Sequence, residues 1–235
     1  MVAYFKLQNN LFMAVGAVVG FLTGYLVYGD KVSGSIAVGF LLMLPALVGL
    51  VAGRLASAWW SSRRLAAMYA LLYQKGDADG FLAVFEPKVE KVPKTTIEYV
   101  DGMNRIAYAY EAKGEYEKAL EILSGLKPEE LRLHMLVASA TTLSQKIRLY
   151  LLMERKEQAE EALETLRELK ETAVKRAPAV GSNLEQCLRL YENWLNLLKG
   201  ETCDLEYIRE EARLANNPIH KREMEELLKK ADKKA

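Results

Sequence analysis

Residues 108–123 read YAYEAKGEYEKALEIL, and their spacing predicts two helices joined by a short turn. Tyr110, Gly114, Tyr116 and Ala119 follow one another at offsets of four, two and three, ahead of Leu120 and Leu123. Upstream, Met103, Ile106 and Ala107 continue the same helical face. Gly114 suits the left-handed conformation that ends a helix, and Ala107 and Ala119 are small enough to let two helices approach closely. From Ala56 onward the apolar residues keep a helical period and no stretch alternates as a half-buried strand would. The fold class read from this is all-α.

Weaker copies of the pattern flank it. Residues 70–85, ALLYQKGDADGFLAVF, repeat the Lys-Gly-acid turn at Gly76, with Phe81 and Phe85 where Ala119 and Leu123 stand. Residues 148–166 place Tyr150 and Ala159 at the spacing of Tyr110 and Ala119, but Glu154 takes the position of the turn glycine. A glycine returns as Gly200, where Leu188, Tyr191, Leu195 and Leu198 align after a one-residue slip. The arrangement resembles the tetratricopeptide repeat (TPR), whose small residue and Tyr on a first helix, turn Gly, and Tyr and Ala on a second helix match these positions. The resemblance covers roughly residues 62–215 and implies a TPR-like α-solenoid of about four helical hairpins. Pro93, Pro128, Pro178 and Pro218 fall between the expected hairpins. Helices are expected over about 55–75, 78–90, 95–113, 116–125, 130–153, 156–175, 182–199 and 203–215, with a last one from Ile219.

Upstream of the repeats the composition changes abruptly. Residues 1–53 carry only three charged side chains, Lys6, Asp30 and Lys31, while the rest of the chain holds 30 basic and 30 acidic residues. That neutral balance disfavours a nucleic-acid-binding surface. Two uncharged stretches, 11–28 and 35–53, are each close to the ~20 residues that a helix needs to cross a bilayer. The eight residues YGDKVSGS join them closely enough to make the spans antiparallel neighbours. A cleaved signal peptide would not be followed so soon by a second uncharged stretch. The expected organisation is a transmembrane hairpin over 1–54, the repeat domain over 55–218 and a charged helix over 219–235.

Lys6 at one end and Arg54, Arg63 and Arg64 at the other outnumber the single Lys31, beside Asp30, in the turn. The positive-inside rule then puts both termini in the cytoplasm, with Trp59 and Trp60 at the inner interface and Tyr25 and Tyr28 at the outer one. With no breaker after Gly53, the second span is expected to run on into the first body helix. Gly16, Gly20 and Gly24 recur every four residues, as do Gly49 and Gly53. Such a strip allows close helix approach in lipid, either between the two spans or between copies of the chain as a homo-oligomer.

A search for chemistry returns little. The chain carries no Gly-rich phosphate loop after a strand, no His-Glu-x-x-His and no Cys-x-x-Cys. Cys187 and Cys203 are expected in packing, His134 and His220 on the surface. The reading is therefore non-catalytic, with no cofactor and no metal. In the TPR family the inner helices line a concave face that binds peptides or partner helices. The resemblance implies that Asp101, Asn104, Arg105, Tyr108, Thr141, Ser144, Gln145 and Arg148 line it here. The same residues would also suit an ordinary solvated helix face. Two functions are expected from this: a membrane-anchored adaptor or assembly factor binding a protein partner through that face, or an accessory subunit of a transporter or membrane enzyme contacting it through the spans.

Overall fold

The computed structural model describes residues 3–28, 36–126, 136–215 and 218–232, and among them every regular element is helical. The segment carrying Asp30 and Lys31 lies outside the described residues, as do Pro128 and His134; of His220 only the backbone is described. The chain divides into two compact units, Met1–Met68 and Tyr69–Ala235.

In the first unit a short 3-10 turn, Ala3–Phe5, leads into α1, Lys6–Tyr28, and α2 follows over Ile36–Tyr73. α2 continues through Pro45, and its last turn, from Tyr69, belongs to the second unit. The expected second span and first body helix are thus one helix, because Arg54-Leu-Ala-Ser-Ala offers the backbone nothing that would break it. Both helices are long and apolar enough to cross a membrane over Gln8–Val27 and Met43–Tyr73. Only 11% of each apolar window is buried, and Val18, Leu22, Leu26, Leu44, Val48 and Leu55 are all exposed. A core helix of a water-soluble protein would bury such residues against a neighbour.

The second unit holds α3 (Ala78–Val89), α4 (Ile97–Ala112), α5 (Tyr116–Ser124), α6 (Leu136–Leu152), α7 (Lys156–Arg176), α8 (Pro178–Lys199), α9 (Leu205–Leu214) and α10 (Pro218–Asp232). Asp77, Thr96 and Asp204 cap α3, α4 and α9, each accepting a hydrogen bond from a backbone N–H in the first turn. Pro178 and Pro218, expected between helices, instead open α8 and α10. At a first helical position the missing N–H has no intrahelical partner to lose, and the fixed φ is already helical. Each helix packs on its sequence neighbour, α3 on α4, α4 on α5, α6 on α7, α7 on α8 and α9 on α10. Contacts of α4 with α6 and of α6 with α8 align these three as a row. The core runs along the seams, from Phe81, Phe85 and Ile106 through Ile147, Leu163 and Leu166 to Trp194, Ile208 and Met224.

One turn geometry recurs. The residues after α2, α4, α6 and α8 that take positive φ are Gly76 (+67°), Gly114 (+78°), Glu154 (+56°) and Gly200 (+80°). Behind three of them the next backbone N–H reaches back five residues, Glu115 to the Tyr110 carbonyl at 2.9 Å, Arg155 to Tyr150 at 2.8 Å and Glu201 to Asn196 at 2.8 Å. This closure satisfies carbonyls that the end of a helix would otherwise leave open. Glu154 thus adopts the conformation that glycine adopts at its counterparts, at a steric cost its β-carbon imposes.

Two substitutions follow from this register. Ala119 is fully buried where α5 meets α4, so Ala119→Leu overpacks the seam and costs about 1–3 kcal/mol. Glu117 is exposed and its ion pair with Arg155 is a surface one, so Glu117→Leu costs little. Thermal melts of the full chain in detergent check this, and equal losses from the two would overturn the register. Glu154→Gly relieves the left-handed strain and stabilises the chain by about 0.5–1 kcal/mol, glycine's unfolded-state entropy offsetting the remainder. A melting temperature that falls instead would mean that the Glu154 side chain contributes more than its backbone costs.

Candidate functional site

α4, α6 and α8, with the end of α2, enclose an open groove of about 350 Å³ in the second unit. Tyr73 and Tyr108 stack at its head, ring centres 5.4 Å apart and 29° between planes. The Arg148 guanidinium sits 5.0 Å from the Tyr108 ring centre. Thr141, Ser144 and Gln145 from α6 and Asn183, Cys187 and Tyr191 from α8 form the walls. Among the described residues Arg148 carries the groove's only cation, and it is not free. Its Nη2 lies 2.7 Å from Oε1 of Glu111, whose side chain is 1% exposed. A pair this deep contributes no net charge to the groove, and removing either member would leave the other buried and uncompensated, at about 3–5 kcal/mol.

Of the eight residues expected on a concave face, Tyr108, Thr141, Ser144, Gln145 and Arg148 line this groove, and Asp101, Asn104 and Arg105 do not. Asn104 is buried, its Oδ1 accepting from Thr142 Oγ1 at 2.9 Å and tying α4 to α6. Arg105 is held by Asp101, Nε donating at 3.0 Å and Nη2 at 3.2 Å, and it also reaches the Tyr73 hydroxyl at 3.3 Å and lies 4.2 Å over the Tyr69 ring. Burial works against its charge, but the hydrogen bonds and field of Asp101 more than offset that, and its pKa is raised. Burial also raises the Cys187 pKa, against the pull of a hydrogen bond from Ser144, so the wall of the groove presents a neutral thiol rather than a nucleophilic thiolate.

In the first unit the glycine strip lies where the two helices meet. A β-carbon built on Gly16 would stand 3.1 Å from Cα of Gly53, one on Gly49 3.0 Å from Cα of Gly20, and one on Gly20 3.0 Å from Cα of Ala46. Real side chains do not fit such spaces, so any residue but glycine would push the helices apart. Gly53 faces Phe12, while Gly24 is buried. Partners fall in number along α2 as they rise along α1, so the two helices run in opposite directions. Toward the Lys6 end Asn9 is buried with Ser57 and Ser61, both hydroxyls donating to its Oδ1, Ser61 at 2.9 Å. Alongside the strip runs an apolar cleft of about 570 Å³ bordered by Val15, Val19, Leu44 and Val48.

Several of these residues escaped the sequence reading although a signal existed. Cys187 and Tyr191 stand as far before Gly200 as Thr141 and Gln145 stand before Glu154, so counting back from the turn would have found them. Ser57 and Ser61 continue the four-residue spacing of Gly49 and Gly53. Glu111 had no such signal, since nothing local marks one Glu among many as the buried partner of an arginine 37 residues on. No family model matches the chain, and no curated protein or solved structure matches it.

Proposed function

We propose that this chain is a membrane-anchored protein–protein interaction module, an adaptor or assembly factor. In this reading α1 and the apolar half of α2 cross the bilayer as a hairpin, both termini are cytoplasmic, and the second unit is a TPR-like stack of about four helical hairpins. The observation that carries it is the groove along α4, α6 and α8, with aromatic rings at its head and uncharged hydrogen-bonding groups on its walls. Such a lining suits a peptide or helix that brings its own backbone and side-chain amides, and does not require a charged ligand. The exposed apolar surfaces of α1 and α2 support the anchor. Tethering raises the effective concentration of any partner in the same membrane, so modest affinity suffices.

A second reading, an accessory subunit of a transporter or membrane enzyme, is favoured by the apolar cleft beside the glycine strip, which could receive a partner's helix. Replacing the hairpin with an unrelated two-span anchor separates the two: adaptor function survives the exchange and subunit function does not.

Reporter fusions in the turn after Lys31 read as external and fusions after Ala235 as cytoplasmic; an external carboxyl terminus would sink the adaptor reading. The groove is tested by photo-crosslinkers placed in intact membranes at Thr141, at Val19 and at the exposed Glu168 on α7. A discrete adduct is expected from Thr141 alone. Asn183→Arg, an exposed site, should abolish it while the melt moves by no more than about 0.5 kcal/mol. An adduct from Val19 and none from Thr141 would favour the subunit reading.

A further inference from the structure

The sequence WWSSRR, residues 59–64, sets two tryptophans each one helical turn before an arginine. In the structure each guanidinium lies over the indole one turn back, Arg63 Cζ 4.3 Å from the Trp59 ring centre and Arg64 Cζ 4.6 Å from that of Trp60. Trp60 is fixed in turn by the 3-10 turn and α1, with Phe5 edge-on at 5.8 Å and Phe12 tilted at 5.7 Å. Trp59, Arg63 and Arg64 are exposed, as is Lys6 next to Phe5.

These cations differ from many of those of the second unit. There Arg105, Arg148, Arg155, Arg167, Arg189 and Arg213 all pair with carboxylates. In the first unit the sequence contains a single acidic residue, Asp30, beyond the far end of α1. Among the described residues neither Arg63 nor Arg64 has a carboxylate partner. Stacking on an indole holds a guanidinium plane without occupying its N–H fork, which remains shaped for two oxygens of a phosphate. The exposed Trp59 under the Arg63 guanidinium, and the exposed Leu55 one helical turn before it, offer apolar surface where acyl chains would lie.

From this we infer that the Trp59–Trp60–Arg63–Arg64 face, with Lys6 beside it, binds the headgroup of an anionic phospholipid. One guanidinium takes the phosphodiester in a bidentate grip, and the neighbouring cations select a headgroup with net negative charge over a zwitterionic one. The inference rests on the membrane-spanning reading of α1 and α2. The apolar flank commits the site to a lipid rather than to a free phosphate.

Tryptophan quenching by brominated lipid tests it. The full chain carrying Trp194→Phe leaves Trp59 and Trp60 as its only indoles, and the unsubstituted chain is measured in parallel in case that exchange perturbs folding. Each is reconstituted into phosphatidylcholine vesicles with increasing fractions of dibrominated phosphatidylglycerol or dibrominated phosphatidylcholine. The anionic quencher is expected to act at about tenfold lower mole fraction. Arg63→Gln with Arg64→Gln should bring the two curves together, and millimolar glycerol phosphate should leave the preference intact. Equal quenching in the unsubstituted arginine chain overturns the proposal, as does a preference that survives the double substitution. Loss of the preference to glycerol phosphate overturns the lipid assignment. Quenching by neither lipid is a different failure, since it removes α1 and α2 from the bilayer and takes the membrane-spanning reading with it.

Discussion

A helix that must reverse direction leaves carbonyls open at its end, and one residue of left-handed backbone is the shortest way to satisfy them. The second unit depends on that constraint at Gly76, Gly114, Glu154 and Gly200. Because three of the closures use the same backbone hydrogen bond, the helices that follow leave their turns alike, and Ala119 and Ala159 arrive fully buried at corresponding places. The row formed by α4, α6 and α8 follows, and the groove lies along that row.

The first unit obeys a different constraint. Most of the large apolar residues along its two helices face outward, so apart from Phe5 and Phe12 packed on Trp60 at one end, burial of large side chains contributes little to joining α1 to α2. What joins them is the absence of side chains at Gly16, Gly20, Gly49 and Gly53, which brings backbone against backbone, and a polar fastening of Asn9 by Ser57 and Ser61 at one end. In the membrane-spanning reading, where interhelical hydrogen bonds of this kind average about 0.6 kcal/mol in one measured system, close packing carries most of the association.

Local chemistry made most elements legible in the sequence. Gly114 and Gly200 announce turns because left-handed backbone costs glycine nothing, and the uncharged runs before Arg54 announce themselves by composition. Glu154 gave no such sign, since the surrounding helices impose its conformation. Pro178 was read correctly as incompatible with a helix interior, but that incompatibility vanishes at a first helical position, so the residue begins α8 instead of preceding it. The site was harder to read than the fold. Asn104 looks like a surface residue on its own helix, and only a threonine 38 positions later makes its burial affordable. The same holds for Arg148 and Glu111. Pairings at that separation belong to the tertiary structure and leave no periodic trace.

Under the proposed adaptor reading, the Glu111–Arg148 pair also bears on how fast the groove is filled. A recognition surface with an unmatched charge gathers its ligand from a distance, and its association rate falls as salt is added. Here the one cation among the described lining residues is cancelled from within. Encounter with such a surface proceeds at the unsteered rate of about 10⁵–10⁶ M⁻¹ s⁻¹ and is nearly indifferent to ionic strength. In the membrane-anchored reading proposed above that loss matters little, because lateral diffusion in two dimensions supplies the collisions that an electric field would otherwise have to arrange.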